Sequence, residues 1–207
     1  MLGMSSPIHI VGGGLAGTEC AWQLAERSVD VVLHEMRPVR STPAHKTGNL
    51  AELVCSNSLR SDDPLHAAGL LKREMEAFDS LVISAARESA VPAGSALAVD
   101  RDRFAERITA AIAGHPRIEV RREEVEVIPE GDVVISTGPL TSPAMSARLQ
   151  ELLGSDYLYF YDAIAPIVEA ESLDLSKLFW QSRYGKGEGD DYLNAPMDRP
   201  QYEAFHQ

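Results

Sequence analysis

Cys55 stands in the polar stretch Ala51-Glu52-Leu53-Val54-Cys55-Ser56-Asn57-Ser58, a setting unlike the apolar surroundings of a buried structural cysteine. A thiol placed this way suits nucleophilic or acid/base chemistry, because thiolates are soft nucleophiles with readily tuned acidity. On residue types alone a reactive thiol and a packed, inert one both remain open. His45 and Asn57 flank Cys55 in the same segment as candidate flavin or substrate contacts. The second chemical signature lies near the N-terminus. Gly12, Gly14 and Gly17 follow the G-x-G-x-x-G spacing after the apolar run Ile8–Val11, and Glu35 closes the next apolar run, Val31-Val32-Leu33-His34-Glu35. This is the dinucleotide fingerprint. The glycines permit a tight turn, close approach to a pyrophosphate and close helix–strand packing, while the terminal acid meets a ribose hydroxyl.

The elements that must position these residues alternate between strand and helix. A strand at 7–11 leads to a helix from about Leu15 to Arg27 and a strand at 30–35. Residues 36–65 form a long irregular segment rich in Pro, Ser, Asn and Thr, a length usually found in functional or disordered loops. One helix is expected near 67–89, with Leu71, Met75, Phe78, Val82 and Ala85 at helical spacing as core. Another is expected near 101–113, capped by Asp100 or Asp102, with Phe104, Ile108 and Ile112 on one face. Residues 118–128 read as a strand or hairpin, and 131–136 as a strand returning to the first sheet. That strand ends in Ser136-Thr137-Gly138, a turn that recurs in flavoproteins with two dinucleotide folds, so FAD is favoured over NAD. The fold class is α/β, a Rossmann-like FAD-binding domain over 1–144 followed at 145–207 by the start of a truncated insertion or substrate domain.

Composition sets outer bounds. Hydrophobic residues make up 44% and charged residues 24% of the 207, as in a soluble globular protein. No apolar run reaches the ~18 residues that span a bilayer, and the N-terminus carries no export signal. Two cysteines, Cys20 and Cys55, make no disulfide framework, which places the expectation in the cytoplasm, without membrane or metal. Cys20 falls on the first helix and reads as core. The net charge of −12 argues against nucleic acid in general, but residues 1–75 are nearly neutral, with 7 basic and 8 acidic side chains. A local basic patch among Arg37, Arg40, Lys46, Arg60, Lys72 and Arg73 therefore stays open.

Several blocks together resemble the folate- and FAD-dependent tRNA uracil methyltransferases. They are the glycine string with Glu35-Met36-Arg37-Pro38, then Thr42-Pro43-Ala44-His45, the Cys55 block, and Val91-Pro92-Ala93-Gly94 with Ala96-Leu97-Ala98-Val99-Asp100-Arg101. Thr137-Gly138-Pro139-Leu140-Thr141-Ser142, Tyr159-Phe160-Tyr161-Asp162-Ala163 and Ser182-Arg183-Tyr184 continue the likeness. The resemblance implies methylation of carbon 5 of the T-loop uracil in tRNA, with methylenetetrahydrofolate as carbon donor, FAD as cofactor and NAD(P)H as reductant. It implies Cys55 as a catalytic thiol and Gly12, Gly13, Gly14, Leu15, Ala16, Gly17, Glu35, Arg37, Thr137 and Gly138 as cofactor contacts. His45, Asn57 and Tyr161 are the implied substrate contacts. Members of that family use a second cysteine, which would lie beyond Gln207; Ala195 stands where many carry Cys, and Ser95 replaces a common Gly. The expectation is an N-terminal half that is inactive by itself. Two other readings fit fewer of these residues: an FAD-dependent oxidoreductase of a small molecule, and a non-catalytic FAD-binding remnant.

Overall fold

The computed structural model describes residues 6–154, 168–182 and 190–206. Tyr161, together with Tyr157 and Tyr159, lies outside the described residues. The chain begins with β1 (Ile8–Val11), α1 (Leu15–Glu26), β2 (Val31–Glu35) and β3 (Ser58–Ser61), then α2 (Ala67–Ala77) and α3 (Leu81–Glu88). It continues through β4 (Ala90–Val91), β5 (Ala96–Val99), α4 (Arg101–Gly114), β6 (Ile118–Arg122), β7 (Val133–Ile135) and α5 (Pro143–Leu153). Beyond these come the short pair β8 (Phe179–Trp180) and β9 (Leu193–Asn194), and α6 (Arg199–His206).

Four strands form a parallel sheet in the order β6-β2-β1-β7. Parallel strands in such a sheet are covered on both faces and read as continuous apolar runs; β2 is buried along its whole length. Ile10 and Leu33 point into a core completed by Ala21 and Ala25 of α1 and by Phe104, Ile108 and Ile112 of α4. These α4 side chains are fully buried and each contributes roughly 1.5–3 kcal/mol of apolar burial. As expected, Asp100 caps α4, its carboxylate accepting from the N–H groups of Asp102 and Arg103 at 3.1 Å. A second, antiparallel sheet, ordered β3-β5-β4, is built from the end of the long segment after β2 and the chain around Ala90–Val99.

One expected helix is two. The periodicity over 67–89 is interrupted at Asp79, whose φ of 56° is left-handed, and Ser80 starts α3 by accepting from the N–H of Ile83 at 3.1 Å. The Glu19 carboxylate fastens the break from α1, accepting from the Ser80 hydroxyl and from Val82 N–H, both at 2.9 Å. Val82 and Ala85 are core, whereas Leu71 and Phe78 are exposed, because the turn at Asp79 takes α2 off the face that α3 buries. Of the strand or hairpin expected over 118–128, a single strand forms and stops at Arg122; Glu123 N–H still bonds to Glu35 C=O at 3.0 Å, and the chain then leaves the sheet edge.

Candidate functional site

The carboxyl ends of β1, β2 and β7 open into one cleft of about 290 Å³. Gly12, Gly13, Gly14, Leu15, Ala16, Glu35, Arg37, Thr137 and Gly138 all line it, as does His45. Nine of the ten expected cofactor contacts thus meet in one place, although they come from three separate stretches of chain. Open parallel sheets bind ligands at this end of the strands.

The glycine turn is fixed by contacts that leave no room for side chains, except in one direction. Gly12 has a φ of 107° and lies against Ser136, whose hydroxyl donates to the carbonyls of Val11 and Gly12 at 3.2 and 3.1 Å. At Gly17, the one expected contact that does not line the cleft, a Cβ would sit 1.8 Å from the Gly12 carbonyl oxygen. Its role is helix–strand packing. A Cβ on Gly13 would meet Leu50 at 2.6 Å and the Glu35 carboxylate at 2.7 Å. Gly14 is the exception, since a Cβ there would meet nothing within 4 Å. It also starts α1 with no side-chain cap, and no acidic residue occupies the first helical turn. The N-terminal N–H groups and the positive end of the helix dipole therefore face open space, which is the arrangement an anion requires.

Behind the turn lies a buried ionic network. One Glu35 oxygen accepts from Gly13 N–H at 2.9 Å, and the other accepts from the backbone N–H and side-chain Nε of Arg37 at 3.0 and 2.8 Å. Arg37 also donates through Nη1 to Glu52 at 2.8 Å. The side chains of Arg37 and Glu35 are only 3% and 5% exposed, so these charges are stable only as a pair. Burial pushes the Glu35 carboxyl upward, but the hydrogen bonds and charge of Arg37, with the Gly13 N–H, outweigh it and hold the group below its ordinary value. Each carboxylate oxygen accepts two hydrogen bonds, so the one bonded to Gly13 keeps a position for a hydroxyl. Glu52 had no assigned role in the sequence. Its only signal was its place in the Cys55 block.

His34 was also missed. Its Nδ1 donates to the Glu123 carboxylate at 2.9 Å, its Nε2 shares a hydrogen bond with His9 Nδ1 at 2.9 Å, and the two imidazoles stack with centroids 5.2 Å apart. Burial lowers the His34 pKa against the opposing pull of Glu123, favouring the neutral ring. With Glu123, it ties the end of β2 to the chain leaving β6, and both line the cleft.

The thiol segment is placed differently. Val54 lines the cleft but Cys55 does not; its side chain is exposed on the adjoining turn. Asn57 is not at the cleft either. Its amide donates to Val99 C=O at 3.1 Å, and its own carbonyl accepts from Val99 N–H at 2.9 Å, which clamps the loop to β5. Cys20 packs against the core as expected, with burial pushing its thiol up. A larger groove of about 910 Å³ lies on the other side of α1, against α2 and β3, but its walls are almost wholly apolar. Among the described residues no group of three or more His, Cys, Asp or Glu could hold a metal ion, and no helix is long and apolar enough to cross a membrane.

Known proteins match this chain closely. The methylenetetrahydrofolate–tRNA-(uracil-5-)-methyltransferase TrmFO of Moorella thermoacetica is 61% identical over 205 residues, covering 99% of this chain and 47% of that protein. Proteins of the same name from Aquifex aeolicus and Bacillus subtilis are 58% and 57% identical, covering 99% and 97% of this chain and 46% of each relative. The chain spans about half the length of the curated relatives it matches. Among solved structures, Aquifex aeolicus GidA superposes with a TM-score of 0.52 at 15% identity, covering 67% of this chain and 26% of that one, a likeness of fold. The family model of glucose inhibited division protein A matches residues 7–207, and this chain belongs to that family.

Proposed function

We propose that the protein to which this chain belongs is a folate- and FAD-dependent tRNA methyltransferase acting on carbon 5 of the T-loop uracil. The observation that carries this reading is the match of 97–99% of the chain to methyltransferases of that name at 57–61% identity. His45, Asn57 and Tyr161 remain proposed substrate contacts, and the cytoplasm is the proposed location.

The residues of the cleft fit FAD. Gly14 leaves space for a pyrophosphate at the N-terminus of α1, and Glu35 keeps an acceptor for a ribose hydroxyl. Arg37 holds Glu35 ionised and oriented, and Thr137 and Gly138 form the far wall. When bound there, FAD supplies the two electrons that take a methylene carbon to the methyl level, with NAD(P)H as their source. Methylenetetrahydrofolate delivers that carbon, and uracil carbon 5 gives up its proton in exchange. Carbon 5 is a poor nucleophile until the ring is activated. Cys55, exposed on the turn that continues from the cleft wall at Val54, is the group available for that task, by adding to carbon 6 or by moving the carbon-5 proton.

The test is direct. The full-length protein, incubated with unmodified tRNA, NAD(P)H and methylenetetrahydrofolate labelled in its methylene group, is expected to place label on carbon 5 of the T-loop uracil. A flavin-loaded protein that transfers no label to tRNA overturns the reading.

A further inference from the structure

The ion pairs of this protein leave a conspicuous remainder. Of the early basic residues, Arg37 is buried between Glu35 and Glu52, and Arg40 pairs with Glu124. Lys72 is consumed by the carbonyls of Ser61 and Ala68, and Arg73 by Glu76. Arg87 holds Asp62 and Glu76, Arg107 holds Glu88, Arg117 holds Asp30, and Arg121 holds Glu119. Arg27, Arg103, Arg122, Arg148, Lys177 and Arg199 are each engaged by a carbonyl, an amide or a carboxylate. Among the described residues, the cationic side chains left without a partner are Lys46, Arg60 and Arg101.

These three stand on different elements, each tied to the loop that carries Cys55. Lys46 and Thr47 are fixed by their backbone N–H groups to the Glu52 carboxylate, at 2.8 and 3.3 Å, a short step along the chain from the thiol. Arg101 opens α4 directly after the Asn57–Val99 clamp that fastens the other side of the thiol turn. Arg60 lies on β3, where the pairing register shifts between Ser58 and Ser61, and its φ of 67° is left-handed. That conformation costs an arginine about 1–3 kcal/mol, and strain of this kind is retained mainly where a side chain must be aimed. Arg60 is five residues from Cys55 along the chain, a span of at most about 18 Å, and Lys46 and Arg101 are tied to the same loop through Glu52 and through the Asn57–Val99 clamp.

We propose that Lys46, Arg60 and Arg101 form the surface on which the phosphate backbone of the RNA substrate docks around Cys55, a proposal that rests on the tRNA reading above. A small anion would need converging donors in a pocket. Separate charges on three segments, Lys46 and Arg60 exposed and Arg101 half-buried, instead match a polyanion with repeating phosphates, whose binding is driven by counterion release at each contact. The net charge of −12 strengthens the selection, because a ligand repelled elsewhere is steered to unpaired cations.

The experiment measures tRNA affinity of the full-length protein as a function of salt, for the wild type, Lys46→Ala, Arg60→Ala, Arg101→Ala and the triple variant. Each contact contributes about 0.7–0.9 to the slope of log affinity against log salt, so single variants should lose just under one unit and the triple variant about two to three. Arg117→Ala, which removes a cation already paired with Asp30, should leave the slope unchanged. Flavin absorbance and thermal midpoint, measured for every variant, separate lost contacts from lost folding. Wild-type slopes in the triple variant, or an equal loss in Arg117→Ala, overturn this surface and leave the methyltransferase reading intact. A wild-type protein that binds no tRNA at any salt overturns both.

Discussion

The glycine-turn cleft and the thiol loop adjoin at Val54 yet are built on opposite rules. In the cleft every charge is answered: Glu35 by Arg37 and Gly13, and Arg37 again by Glu52. On the thiol loop Cys55 is exposed, and Lys46, Arg60 and Arg101, on that loop or on elements joined to it, have no counter-charge among the described residues. A site that binds a cofactor once and keeps it can be rigid and internally satisfied. One that admits and releases a macromolecule must leave its charges for the partner to complete. Substitutions of the paired or tightly packed groups of the cleft should therefore act first on folding, and those on the loop on function alone.

Arg37→Ala should show the largest effect on stability. It strands the buried Glu35 carboxylate, and breaking one side of a buried pair costs about 3–5 kcal/mol. The pH dependence gives the sign. In the wild type, Glu35 is held below its ordinary value of 4.5, so its stabilising contribution is complete above that pH and fades as acid protonates it. Without the Arg37 side chain, burial is opposed chiefly by the backbone N–H groups of Gly13 and of position 37 and pushes the carboxyl upward, so the variant's deficit should be greatest at neutral pH and shrink in acid. Denaturant unfolding across pH 3–8 measures this, and a deficit independent of pH would assign Arg37 a packing role only.

Gly17→Ala comes next. A Cβ 1.8 Å from the Gly12 carbonyl oxygen forces helix and turn apart, at a cost of about 3 kcal/mol, the upper range for overpacking. Gly14→Ala separates packing from binding. With nothing within 4 Å of the added methyl, stability should stay within about 0.5 kcal/mol of the wild type while flavin retained on purification falls sharply. Equal flavin content in Gly14→Ala and wild type would place the pyrophosphate elsewhere.

The contrast also explains what could be read from the sequence. The glycine fingerprint and the Asp100 cap were readable because each is satisfied by neighbours a few residues away or by a strand–turn–helix unit of fixed geometry. The break at Asp79-Ser80 was not, because the groups that fasten it include Glu19 on α1, and helical periodicity continues through it. Glu52 and the His34–Glu123 link escaped for the same reason: their partners are set by how a long loop and a sheet edge fold back. Residue type pointed to the basic residues of the first third, but only the ion pairs and hydrogen bonds show that Arg37, Arg40, Lys72 and Arg73 are committed.

Cys55→Ala should have the smallest effect on folding and the most complete effect on chemistry. The side chain is exposed, so its loss should change stability by no more than about 0.5 kcal/mol. The decisive measurement is single-turnover transfer of labelled methylene carbon to tRNA by the flavin-loaded, full-length Cys55→Ala protein, with its flavin spectrum and thermal midpoint recorded alongside. Abolished transfer with spectrum and midpoint unchanged is the predicted result; transfer at the wild-type rate would contradict a catalytic role for the thiol loop.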